Sequence, residues 1–183
     1  VFSISAIKNL KILIYTNNHF KYKIRSPDLL QVDGTLGTLL VSDVFYDGRK
    51  NPKRIMDVYY SESRELMPII ILVYSVNWSF DKKEAWGRWA RLVQSKGYVV
   101  IIPEFTSVAD GKLFEMSYDF LKCLQWVSSN GRQFRGDVKK IFVVGVEAGA
   151  HLTMHCILDS IFNRMHALMV KNLILPPIYG VVL

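Results

Sequence analysis

No run of eighteen apolar residues occurs anywhere in the 183 positions of this chain, so no stretch reads as a transmembrane helix. Cysteine is scarce: Cys123 and Cys156 both lie inside apolar helical patterns, which argues against a disulfide framework and for reduced core thiols. Charge is sparse too, at 21% of residues against 50% apolar, a balance that belongs to a globular chain. The Gly-x-Gly-x-x-Gly spacing of a nicotinamide site is missing, and nothing else calls for a cofactor. The aromatic-basic motifs of RNA-binding modules are also missing, so nucleic acid is not an expected partner. Val1–Tyr15 is broken by Lys8, Asn9 and Lys11 and lacks the clean apolar core of a signal peptide. The chain opens on Val1 rather than methionine, as a fragment or a processed form would.

What charge there is sits unevenly. Of the net +7, residues 1–54 hold nine Lys/Arg against four Asp/Glu, and residues 55–183 hold fourteen against twelve. We read residues 1–38 as a basic, irregular N-terminal arm and residues 39–183 as a partial folded domain. Such an arm suits contact with an anionic membrane surface; a solvated basic surface is the plainer alternative.

Beyond the arm the elements follow one another closely. Leu39–Tyr46 and Ile55–Tyr60 are short β-type runs joined through Asp47-Gly48 and Asn51-Pro52, as a hairpin would be. Ile69–Val73 and Tyr98–Ile102 are continuous apolar runs, expected of strands covered on both faces. Helical spacing follows each, in Trp86, Trp89, Ala90 and Val93, then in Leu113, Met116, Phe120, Leu124 and Val127. A strand at Ile141–Val144, a helix from Ala148 to about Met165 and a last strand at Asn172–Leu175 before Pro176-Pro177 complete the order. This alternation predicts an α/β fold, a mostly parallel sheet with helices on both faces. Function in such a sheet sits past the carboxyl ends of the strands, here Tyr74–Trp78, Glu104–Gly111 and Val146–Gly149.

The third tip, Gly145-Val146-Glu147-Ala148-Gly149 running on through Ala150-His151, is the sharpest motif. It joins an apolar strand to a long helix, the context in which Gly-x-Ser-x-Gly holds a nucleophile on a tight elbow. With it come Tyr74-Ser75-Val76-Asn77-Trp78, Ala85-Trp86-Gly87, Gly97-Tyr98, Met116 with Asp119, and Gly136-Asp137, all in a familiar order. Over roughly residues 43–175 the chain resembles the hormone-sensitive-lipase-like carboxylesterase branch of the α/β-hydrolases. Within that branch it is most similar to the isoprenylcysteine methylesterases and the kynurenine-formamidase-like enzymes.

The resemblance implies an α/β-hydrolase fold and carboxylic-ester hydrolysis on an apolar substrate. It also exposes three departures. Glu147 stands where the family has its serine. Ser75 and Val76 stand where a Gly-Gly pair frees backbone N–H groups for the oxyanion, which leaves the Ala148 N–H as the donor still in place. The family's acid and histidine come from later strands, and the sequence stops at Leu183, so we expect a domain truncated at its C-terminal side. The expectation is a degenerate esterase that binds an apolar ester-like molecule or acts as a scaffold. A working methylesterase-like hydrolase with its other catalytic residues outside this sequence is the alternative, and a relic without stable function the third. The location is not fixed by the sequence; an intracellular protein is the expectation, and the resemblance to the membrane-associated methylesterases leaves membrane association open.

Other chemistry fares less well. His151 and His155 have half of a zinc spacing without the glutamate between them or a third ligand, so no metal is expected. A carboxylate nucleophile is known on this fold, but no histidine here stands by position to activate water for it. Ser75 reads as a loop serine, Glu104 and Asp110 as solvated loop carboxylates, and Asp119 and Asp137 as structural.

Overall fold

The structure is a computed structural model and describes residues 37–48, 51–75, 78, 82–162 and 176–183. The expected basic arm, His19, His166 and the expected strand at 172–175 lie outside the described residues.

Six strands form one sheet: β1 (Leu39–Phe45), β2 (Ile55–Tyr60), β3 (Met67–Ser75), β4 (Val99–Pro103), β5 (Gly136–Glu147) and β6 (Ile178–Val182). Their spatial order is β1-β2-β4-β3-β5-β6. The β1–β2 and β2–β4 pairs are antiparallel; β4–β3, β3–β5 and β5–β6 are parallel. Parallel neighbours need crossovers, and three helices supply them: α1 (Gly87–Gln94), α2 (Leu113–Asn130) and α3 (Ala148–Phe162).

Strand alternation divides the helices between two faces. Ile69, Ile71 and Val73 of β3, with Val99, Ile101, Ile141 and Val143, meet Met116, Phe120, Leu124 and Val127 of α2 and Leu152 and Cys156 of α3. Tyr59, Ile70, Leu72, Tyr74, Val100 and Ile102 are buried as well, with the opposite parity. On that face Tyr74 packs on Trp86, ring centroids 5.4 Å apart, at the entry to α1. Cys123 and Cys156 are both buried. Burial, followed by the nearby Asp119 charge, pushes the Cys123 thiol well above its ordinary range. The start of α2 is fixed by Glu115, whose carboxylate accepts the Lys112 N–H at 2.9 Å.

Two boundaries differ from the sequence reading. β5 begins at Gly136, five residues before the apolar run, because Gly136 and Asp137 already pair with Met67 and Pro68 ahead of a register shift. The other is at Pro176-Pro177, where a strand that the sequence reading did not expect, β6, follows the prolines. Pro lacks only the N–H, so two prolines just ahead of a strand's first residue remove nothing from its ladder.

The two margins of the sheet differ. β1 is interrupted by a register shift between Val41 and Val44, and Asp43 within it sits at φ +57°. β6 carries no charged side chain and leaves Tyr179 and Val181 exposed.

Candidate functional site

The carboxyl ends of β3, β4 and β5 bring the three expected tips together. Trp78, at φ +61°, accepts the Val108 N–H on its carbonyl at 3.2 Å, tying the first tip to the second. Its indole meets the His151 imidazole edge-on, centroids 5.1 Å apart and planes at 87°, tying the first tip to the third. His151 lies in the first turns of α3 and stacks on His155 at 6.3 Å.

Glu147 ends β5 and Ala148 begins α3 with no residue between them. The reversal is concentrated at Glu147, whose φ is +52°, a left-handed value that costs an L-residue about 1–2 kcal/mol. The flanking glycines allow it. A Cβ on Gly145 would meet the Ala150 Cα at 2.5 Å, and one on Gly149 would meet the Val73 carbonyl carbon at 2.6 Å and the Tyr74 nitrogen at 2.9 Å. Helix backbone therefore lies directly on strand backbone, and no larger residue fits at either place. Thr153 fastens the same turn by donating its hydroxyl to the Gly149 carbonyl at 2.8 Å.

The Glu147 side chain is exposed, and no ion pair or hydrogen bond engages it among the described residues. Ser75, the last residue of β3, is opposite Glu147 in the β3–β5 register. It is fully buried, and its Oγ has no hydrogen-bond partner among the described residues. Ala148 is half-buried at the head of α3, and Val76 lies outside the described residues. His151 and His155 gain no third ligand: among the described residues no group of three His, Cys, Asp or Glu side chains is placed to hold a metal.

Two polar networks support the tips. In the first, Asp119 of α2 is wholly buried and every oxygen is used. Its Oδ1 accepts Arg54 Nε at 2.5 Å, and its Oδ2 accepts the Thr106 N–H at 2.8 Å and the Thr106 hydroxyl at 2.6 Å. Arg54 also reaches Asp47 at 3.1 Å, which binds the β1–β2 turn to the β4 tip. Burial pulls the Arg54 guanidinium down, but the carboxylates of Asp119 and Asp47 outweigh it and hold it above its ordinary value. Tyr46 donates its hydroxyl to the Glu104 carbonyl at 2.7 Å, and burial with the Asp119 charge raises its pKa well above normal. Asp119 is thus structural, as the sequence implied.

In the second network Lys83 is buried between Asp43 at 2.9 Å, Asp57 at 3.3 Å and Glu84 at 2.8 Å. Burial opposes its charge, yet these carboxylates raise the ammonium above the usual lysine value. Burial also raises Asp57, against the Asp43 N–H and Lys83, which lower it. Sequence reasoning missed this network, since a lysine in a polar stretch carries no sign that it will be buried. Glu104 belongs to its margin, its Oε1 accepting the Lys83 N–H at 3.4 Å. Asp110 is a surface carboxylate paired with Lys53 at 2.7 Å.

A mixed sheet in this order, with helices on both faces and a tight strand-to-helix turn after β5, is the α/β-hydrolase fold. The BD-FAE family model matches residues 56–168, more than half of the chain, and the chain belongs to that family. Among curated proteins, a probable isoprenylcysteine alpha-carbonyl methylesterase of Arabidopsis thaliana is 26% identical over 112 residues, covering 60% of this chain and 26% of the relative. A second, of Oryza sativa subsp. japonica, is 27% identical over 105 residues, covering 56% of this chain and 24% of its own length. The chain therefore spans about a quarter of the curated relatives it matches. Among solved structures, esterase B of Lactobacillus rhamnosis superposes with a TM-score of 0.64 at 19% identity, over 87% of this chain and 51% of that one. A hyperthermophilic esterase of Pyrobaculum calidifontis gives 0.57 at 21% identity, over 69% of this chain and 41% of that one. Both likenesses concern the fold.

Proposed function

We propose that the β5–α3 turn is a nucleophile elbow carrying glutamate in place of serine, and that the protein binds an apolar ester-like molecule there without hydrolysing it. The observation that carries this reading is the left-handed φ of +52° at Glu147 between two glycines that no side chain could replace. It supports an inherited turn kept under strain although the residue at its apex lacks the hydroxyl that would be acylated. The anion at the apex acts against ester hydrolysis, because it repels the oxyanion that the site would have to stabilise. Ser75 and Val76 stand in the sequence where the resemblance has a Gly-Gly pair, and residues with side chains there restrict the approach of bare backbone to the substrate oxygen. Glu147 is nonetheless tolerated at a helix N-terminus, where the dipole favours an anion by about 0.3–1 kcal/mol.

The test is p-nitrophenyl butyrate hydrolysis. The expected result is no turnover above buffer for the wild-type chain. Turnover that Glu147→Gln abolishes would overturn the reading.

The basic residues of segment 1–38 support a second element of the proposal, contact with an anionic membrane surface. Pelleting with phosphatidylserine vesicles should fall as salt rises, and pelleting indifferent to salt or to lipid charge would remove this element.

A further inference from the structure

Lys83 is shared unequally among its carboxylates. Its ammonium lies 2.8 Å from Glu84 and 2.9 Å from Asp43, both largely exposed, and 3.3 Å from Asp57, which is buried. Water already screens the two nearer carboxylates. The ammonium thus leans toward the groups that need it least, and the buried group receives the weakest share. Glu104, half-buried at the end of β4, adds a fourth carboxylate on the Lys83 N–H at 3.4 Å. With every member ionised, four carboxylates face one ammonium.

The surroundings do not correct that imbalance. Tyr59 follows Asp57 on the same face of β2, and the Arg91 guanidinium of α1 lies over its ring at 5.6 Å, exposed to water. Burial, and then the Asp57 charge, hold the Tyr59 hydroxyl above its ordinary value. Lys82 is at the surface and acts on Glu84. Burial raises both Asp57 and Glu104, and the Lys83 contacts do not cancel it.

Strand β1 hangs on this cluster. It is exposed along nearly its whole length, so burial holds it weakly. Its ladder to β2 is interrupted between Val41 and Val44, and within that break the Asp43 N–H donates to Asp57 Oδ1 at 3.2 Å. When β1 lifts, Asp57 loses that donor but gains water, and burial is the larger influence on it.

We propose that the cluster is a proton-operated latch on the β1 margin: Asp57 takes up a proton from solvent in mild acid, and the protonated cluster holds β1 more firmly on β2. One Asp57 oxygen takes the proton while Oδ1 goes on accepting the Asp43 N–H. The closed strand binds this proton more tightly than the lifted one. The added hold is therefore complete below the ordinary aspartate value, about 3.9, and is lost as pH rises through the higher closed-strand value.

Amide hydrogen exchange in β1 tests the latch, with intrinsic exchange rates corrected for pH and the β3 and β4 amides as reference. Protection of Leu39–Phe45 should rise about fivefold from about pH 7 to about pH 4.5. Asp57→Asn fixes the neutral form, and β1 should then stay equally protected at both pH values. A carboxyl-carbon NMR titration should place the Asp57 midpoint above that of an exposed aspartate. Wild-type β1 protection that is flat or falls on acidification would overturn the proposal. So would an Asp57 midpoint in the ordinary range, or a wild-type pH dependence retained by Asp57→Asn. The two wild-type measurements decide the matter even if the variant fails to fold.

Discussion

The Asp119 hub and the Glu147 turn each place a carboxylate near the strand tips, and they use it in opposite ways. At the hub both carboxylate oxygens are consumed by Arg54 and Thr106, and the residue is sealed from water. At the turn the carboxylate is exposed and none of the described residues engages it, while the hydroxyl in register with it is buried and unpaired. The difference separates two environments. The hub satisfies its polar groups within the protein and fixes where the tips stand, whereas those of the turn find no partner among the described residues.

The strongest way to break this contrast is to disarm the hub. Asp119→Ala strands Arg54 and the Thr106 N–H, and should cost about 3–5 kcal/mol in urea unfolding. A loss below about 1 kcal/mol would mean that the hub does not hold the tips.

Next comes the other network. Lys83→Gln leaves Asp57 buried without its counter-ion and should cost about 3 kcal/mol at neutral pH. The folded ammonium titrates above its unfolded value, so its contribution is complete below about pH 10.4 and fades only as pH climbs through the higher folded value. The melting-temperature gap between wild type and Lys83→Gln should therefore stay constant from neutral pH up to that point and narrow beyond it.

The turn itself should respond to shape more than to charge. Gly149→Ala drives a methyl group into the β3 backbone and should cost about 2 kcal/mol by thermal melting. Smallest of all, Glu147→Val puts a β-branched residue at a left-handed φ and should cost about 1 kcal/mol, whereas Glu147→Gly should be neutral within about 0.5 kcal/mol. If valine were as good as glycine there, strain at the apex would play no part.

Most of the sheet was legible in the sequence because its central strands are buried on both faces and read as unbroken apolar runs, as in Ile69–Val73 and Tyr98–Ile102. The helices were legible from their apolar stripes, such as Met116, Phe120, Leu124 and Val127. Boundaries failed where polarity and pairing part company. Gly136–Lys140 is polar enough to read as a turn, yet its backbone is already in the strand. Pro176-Pro177 looks like the end of the sheet but stands just ahead of β6.

At the site, the three tips and the tight turn at Glu147 could be read from motif spacing. The Lys83 network could not, because its members come from β1, β2, the entry to α1 and the end of β4, and only the tertiary fold assembles them. The Trp78–Val108 bond was hidden for the same reason, being a backbone contact between two loops.

The contrast between the sheet's margins governs how this molecule meets copies of itself. Among the described residues β6 is an uncharged strand, while β1 is broken by its irregularity at Asp43 and pinned there by Lys83. A strand bent in this way gives a second copy no straight ladder to pair with. Sedimentation at high concentration should accordingly show no fibres that grow through β1. The bulge at Asp43 would be what stops the sheet from continuing out of one molecule into an indefinite row of them.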